Sequence, residues 1–368
     1  MKKLLILSSL LSFSLSAHAY SLDQQGHAQL HGYLQRIAQS QVDNPNLKQH
    51  ATLIGDYTEA GLNLNWQARP TTRLIADLHY HSKSPQSQNL NINILSLNQT
   101  LYTANWGGIT LGLGRLKNTL IGLNSAQDAP LLRETTRFSR LYIGSLVQVV
   151  NSIDGARLQA EWSDNAGNLL TGTLFTGGIT QSEGAQIQLH TNLSLEVNKS
   201  SLTGIKVTWE PAQLPGLLLG ANYIQLDTKN TVSAQVFVTG LGIRNITMPY
   251  NTPIDIQVLM ARYQWQQWQV SGEWMQPHID KAIPTGSSSQ KPTWYLSLLW
   301  QPTSQWSTTL RYEVNHYGTQ NSESTGWIGY ARYRFHKHYF IGVELDQFFD
   351  SLQHKQETVA LGQFEMHF

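Results

Sequence analysis

The chain has 368 residues with 25 Lys and Arg against 24 Asp and Glu, so no strong field of either sign points to nucleic acid. Only 13% of residues are charged and 40% are hydrophobic, and the mean hydropathy of -0.29 excludes a bundle of membrane helices. There is no cysteine, which removes disulfides and thiolate metal sites and suits export through an oxidising compartment.

The first residues read as a targeting segment. Lys2 and Lys3 form a basic start, Leu4 to Leu15 an apolar run broken only by serine, and Ala17-His18-Ala19 a cleavage site. Residues 1-19 are therefore expected to be a signal peptide, with the mature chain starting at Tyr20. The apolar run is shorter than the ~20 residues a membrane-spanning helix needs.

From residue 20 onward the pattern has period two. Sixteen segments begin near residues 27, 58, 72, 97, 108, 155, 167, 202, 216, 256, 266, 293, 305, 326, 338 and 357. In one of them Trp306, Thr308, Leu310, Tyr312 and Val314 share a face, while Ser307, Thr309, Arg311, Glu313 and Asn315 share the other. Most segments have roughly 9–12 residues, enough to cross a bilayer as a tilted strand. Short connections, such as Arg69-Thr72 and Gln264-Gln267, alternate with long ones near 38-57, 83-96, 117-154, 178-201, 227-255, 277-292 and 316-325. The fold expected for 20-368 is all-β: a transmembrane antiparallel β-barrel of about sixteen strands, with short periplasmic turns and long extracellular loops.

Two further patterns support a barrel. Of 11 tryptophans, Trp66, Trp106, Trp162, Trp209, Trp265, Trp268, Trp300 and Trp306 lie beside short turns, and Trp274, Trp294 and Trp327 lie near long loops. Tryptophan favours the bilayer interface, where its ring is in oil and its N–H meets water. Gly362, Phe364, Met366 and Phe368 then alternate to the last residue. Phe364, Met366 and Phe368 resemble the closing-strand signature of outer-membrane barrels, which the barrel-assembly machinery reads.

In such a barrel the apolar rows face lipid, and closure leaves no unpaired backbone in hydrocarbon. The polar rows line a lumen, which sixteen strands leave wide enough for water. Strand parity places Arg73, Asp77, Arg157, Glu161, Lys206, Glu210, Arg262, Glu273, Arg311, Glu313, Arg332, Arg334, Glu344 and Asp346 on this wall, with Tyr33, Tyr295 and Tyr330. Arg332 and Arg334 are expected to lie close to Glu344 and Asp346 on the adjoining strand.

The connection near 117-154 is the longest. Its apolar stretch Leu141 to Val150 suggests that it folds inward and narrows the pore. Arg115, Lys117, Asp128, Arg133, Glu134, Arg137 and Arg140 are the candidate constriction residues. Their basic excess favours anions in a low-dielectric channel. The alternative is a loop folded over the rim, with its arginines on lipopolysaccharide.

Gly114-Arg115-Leu116-Lys117, Gly122-Leu123-Asn124, Asp128, Arg133, Thr136-Arg137 and Asp154-Gly155 resemble a pattern in porin-like proteins of proteobacteria, within the Gram-negative outer-membrane porin superfamily. The resemblance covers about forty residues around the long loop. It implies a passive channel for small polar solutes and ions, often a homotrimer, in contact with outer-membrane lipid and lipopolysaccharide. It implies no particular solute, and no cofactor, metal or nucleic-acid partner is expected from the residues. The rival readings are a substrate-selective porin, an outer-membrane enzyme and a structural barrel. There is no G-x-S-x-G sequence, and the histidine pairs His79–His81 and His336–His338 lack carboxylates at metal-binding spacing.

Overall fold

The computed structural model describes residues 20–23, 25–41, 57–82, 90–119, 133–136, 139, 152–179, 185–190, 193–238, 242–279, 291–317, 322–351 and 355–368. The expected signal peptide, Leu141 to Val150, Asp128, Arg137 and Arg140 lie outside the described residues.

The strands are β1 (Tyr20–Ser21), β2 (Ala28–Gln41), β3 (Tyr57–Arg69), β4 (Thr72–His81), β5 (Leu90–Ala104), β6 (Gly107–Lys117), β7 (Ser152–Ser163), β8 (Leu169–Ile179) and β9 (Ala185–His190). They continue as β10 (Leu193–Glu210), β11 (Leu217–Val238), β12 (Gly242–Trp265), β13 (Trp268–Ile279), β14 (Thr293–Trp300), β15 (Trp306–Tyr317), β16 (Ser322–His336), β17 (Tyr339–Asp350) and β18 (Lys355–His367). Strands β2 to β8 pair in sequence, β8 pairs β10, and β10 to β18 pair in sequence. Strand β18 then pairs β2, from Val359 opposite Gln41 to His367 opposite Tyr33. The result is a closed sixteen-stranded antiparallel barrel, and β1 and β9 are short additions to β2 and β10. Phe368 completes the seam by exchanging backbone hydrogen bonds with Gly32.

Side-chain burial runs opposite to that of a water-soluble barrel. On β17, Phe340, Gly342, Glu344, Asp346 and Phe348 point inward and are buried. Ile341, Val343, Leu345 and Phe349 point outward, with Val343 64% exposed. Such a surface belongs in hydrocarbon, where closure satisfies every backbone group. All eight tryptophans beside short turns lie on the outside at 39% to 57% exposure, forming one girdle. At the other end Trp294, Tyr312 and Trp327 pack in a row, with ring centroids 5.6 Å and 4.7 Å apart.

The short turns are built locally. Gly107, at φ +148°, starts β6 where a Cβ would lie 1.9 Å from the Glu161 carbonyl oxygen. In the turn after β7, Asp164 accepts hydrogen bonds from the Asn168 side chain and backbone N–H, which hold its carboxyl below the usual carboxylate range.

Two expected long loops are partly strand. Strands β11 and β12 stay paired from Leu217 opposite Tyr263 to Val238 opposite Gly242, so most of 227-255 is a hairpin. Most of 178-201 is β9 and the start of β10. Loop length was read there from distance along the chain, but Val232, Val236, Phe237, Ile243 and Ile246 are strong strand formers. Pro249 and Pro253 fall where β12 has run past its β13 partner, which begins pairing at Ile254. A proline there costs no hydrogen bond to β13.

Candidate functional site: the lumen and the segment docked inside it

After β6 the chain turns straight into the barrel. Asn118 is fully buried, and the Thr119 carbonyl accepts a 2.8 Å hydrogen bond from Lys206 Nζ on the β10 inner wall. Residues 133–136 are docked on the same wall far from there. Arg133 Nη1 donates to Glu59 Oε2 on β3 at 2.9 Å and to Gln35 Oε1 on β2 at 3.3 Å. Glu134 accepts from Gln269 Nε2 at 2.7 Å and Ser297 Oγ at 2.6 Å, and from Ser271 Oγ. Its backbone oxygen accepts from Thr309 Oγ1 at 2.6 Å. Thr136 donates through its N–H to Glu344 Oε2 at 2.5 Å and through its hydroxyl to Gln363 Oε1 at 2.8 Å. Arg133, Glu134 and Thr136 thus reach β2, β3, β13, β14, β15, β17 and β18. All these partners sit on inward parity.

Of the connection expected to fold inward, the described residues 118–119 and 133–136 lie against the inner wall. Two of the expected constriction bases do not share that face. Arg115 shares parity with Leu113, which is 45% exposed on the outer surface, and stands opposite Asp154 and Leu95. Its Nε lies 3.2 Å from Asp154 Oδ1, and its Nη1 donates to the Ile92 carbonyl. Lys117 has the same outward parity. The inward position between them is Leu116, buried against the level of Ile153. The cause is period two: a G-R-x-K strand end puts Arg and Lys on the face of the leucines before them.

The expected wall residues lie on the inner face. Arg157 donates to Asn98 Oδ1 at 2.7 Å, Arg73 bonds Asn65, Asn63 donates to Asp77, and Glu161 accepts from Gln159. Arg311 and Glu313 form a buried ion pair at 2.7 Å. Tyr33, Tyr295 and Tyr330 are buried inside. The expected pairing of Arg332 and Arg334 with Glu344 and Asp346 is not the register found. Arg332 stands opposite Gly342 and Arg334 opposite Phe340, while Glu344 faces Tyr330 and Asp346 faces Ile328. A one-residue register irregularity lies between Arg334 and His336.

Sequence reasoning missed Gln35, Glu59, Gln269, Ser271, Ser297, Thr309 and Gln363, the wall's receptors for the segment. Glu59 was recoverable, because Tyr57, Glu59 and Gly61 share parity. The uncharged receptors carry no signal that separates them from other lumen positions. Among the described residues no three His, Cys, Asp or Glu form a metal-binding group. His81 instead stacks on Tyr57 at 4.8 Å.

The charges that water can reach are not the full set. Inward Glu59, Asp77, Glu273, Glu313, Glu344, Asp346 and Glu365 are all buried. Inward Arg73, Arg157, Lys206, Arg262, Arg332 and Arg334 are half-buried or exposed, as are the acids Glu161, Glu210 and Asp350 of inward parity.

No protein-family model matches the chain, and no curated protein matches it. Solved structures do. In-vitro folded OmpT, an outer membrane protein of Vibrio cholerae in a trimer form, is similar at TM-score 0.57 and 10% identity, over 93% of this chain and 99% of that one. The anion-selective porin of Comamonas acidovorans is similar at TM-score 0.57 and 13% identity, again over 93% and 99%. OmpF of Salmonella typhi, in complex with daunomycin, is similar at TM-score 0.55 and 14% identity, over 93% and 97%. In strand number, closure and direction of its apolar face, the chain has the barrel fold of the bacterial outer-membrane porins.

Proposed function

We propose that this protein is a porin of a Gram-negative outer membrane, a water-filled channel through which small polar solutes and ions diffuse passively. The observation that carries the reading is a polar inner wall with a loop segment hydrogen-bonded to it, inside a closed barrel whose outer face is apolar. A lumen partly filled by such a segment is narrowed, and its charges act on whatever passes.

A slight anion preference is the finer part of the proposal. Arg115 and Lys117 do not contribute to it, and the charge of Arg133 is met by Glu59. It rests on the accessible lumen bases, and on Arg137 and Arg140. The buried carboxylates are held in hydrogen bonds and ion pairs, so permeating ions meet the arginines first. A salt gradient across a planar bilayer tests this. A reversal potential of the sign for anions supports the preference, and one for cations refutes it. Saturable block by one solute would instead favour a substrate-selective porin.

The same reading places the tryptophan girdles at the two membrane interfaces, with lipopolysaccharide around the long-loop end. It gives Phe364, Met366 and Phe368 to the assembly machinery, residues 1-19 to export, and the functional unit to a homotrimer. No step of the proposal uses an enzymatic activity.

A further inference from the structure

We propose that the short-turn mouth of the lumen holds a binding site for small oxyanions, carboxylates or phosphates, built on Arg332 and Arg334. A cavity of about 250 Å³ opens there. Gln301, Gln305, Ser307, Arg332, Arg334 and Phe340 line it. Nine residues line the cavity in all, and none is acidic.

The site follows from strand register. Arg332 and Arg334 are two apart on β16, so both enter from the same inward face. On β15, Arg332 meets Ser307. On β17 its opposite number is Gly342, over which the Tyr330 ring packs, so that a Cβ there would lie 2.8 Å from the Tyr330 hydroxyl. The Arg332 guanidinium carbon lies over the Phe340 ring, 5.5 Å from its centre. Arg334 is tied to the neighbouring strand by its backbone N–H, which donates to the Gln305 carbonyl at 2.8 Å. Two planar guanidinium forks at i,i+2 spacing, with amide and hydroxyl groups beside them, match the lone pairs of a carboxylate or phosphate. The volume holds several waters at ~30 Å³ each, or one small anion in their place.

This site lies toward the end of the barrel opposite the long loops, one inward position from Thr309, which holds the docked segment. It would concentrate anions at that mouth. The inference takes the lumen's orientation from the proposed channel function, but its test reads binding and not transport. Inorganic phosphate and acetate are titrated separately into the detergent-folded full chain by calorimetry at low ionic strength. Binding by either anion, weakened by added salt, is expected, and the two titrations separate phosphate from carboxylate preference. Arg332→Gln with Arg334→Gln should weaken it roughly tenfold or more. Arg36→Gln, on the outer face, should leave it unchanged. Arg334→Lys keeps the charge, removes the fork and should bind more weakly, so the test survives a double variant that fails to fold. No heat with either anion on the wild-type chain overturns the site even if the channel conducts. Equal binding by wild type and a folded double variant does the same.

Discussion

Arg133 and Glu59 stand 74 residues apart in sequence, yet their side chains meet inside the barrel at 2.9 Å with 5% and 7% exposure. One belongs to the segment in the lumen and the other to the wall, so this pair measures how firmly the segment is held. Glu59→Gln leaves the guanidinium buried without its counter-charge. Removing one partner of a buried pair costs about 3 kcal/mol or more, and here the lower figure applies because the segment can swing into water. The expected result is a lowered denaturant midpoint and faster proteolysis within 117-154. A variant that matches wild type in both would show that the pair does not anchor the loop.

Glu134 is the second anchor. Its carboxylate collects donors from β13 and β14, at Gln269, Ser271 and Ser297. Hydrogen bonds to a charged group contribute about 1.5–3 kcal/mol each in net terms. Glu134→Ala should therefore loosen the segment more than Glu134→Gln. Open-channel current noise gives the readout, and equal noise in Glu134→Gln and wild type would count against a role for the charge.

The absence of native cysteine allows a direct tether. Thr309 Oγ1 touches the Glu134 backbone oxygen at 2.6 Å. Glu134→Cys with Thr309→Cys should join through a short bis-thiol reagent, visible as a mobility shift under denaturing conditions. Conductance should stay near that of the unlinked double variant, because Arg133 and Thr136 still dock the segment. A large fall on linking would mean that the segment normally lies elsewhere.

Arg115 and Arg157 separate the two faces of the wall. Arg115 pairs with Asp154 on the outer face, and Arg157 bonds Asn98 in the lumen. Arg157→Gln should move the reversal potential toward cations, and so should neutralising Arg133, Arg137 and Arg140 together. Arg115→Gln should not. A shift with Arg115→Gln of the same size as with Arg157→Gln would contradict the parity argument.

Val343 tests the outer face. It is 64% exposed in the middle of β17. An arginine there should cost about 2–4 kcal/mol if the position is near the bilayer midplane, falling toward zero near an interface. Folding titrations in lipid vesicles measure the loss. A neutral Val343→Arg would mean that this row does not meet hydrocarbon.

Much of this architecture is legible in the sequence because a barrel strand repeats one rule. Every second residue faces oil, so Ile341, Val343 and Leu345 announce their direction without reference to any neighbour. Register is harder. Arg332 meets Gly342, two positions short of Glu344, and no pattern in the residues marks that register. The docked segment is hardest. Glu134 is recognised by serines, a threonine and a glutamine on strands more than 130 positions away, and such residues occur on every polar face of the barrel. The hairpin of β11 and β12 shows a related effect. Its Val and Ile spell strand, but the sequence does not say where a strand leaves the membrane.

The most direct measurement is single-channel recording after the purified full chain is added to a planar lipid bilayer. The proposed lumen predicts discrete, long-lived current steps whose size rises with salt concentration, and whose ion preference falls as salt screens the wall arginines. Folded, membrane-inserted protein that passes no current at any salt concentration would contradict a water-filled channel.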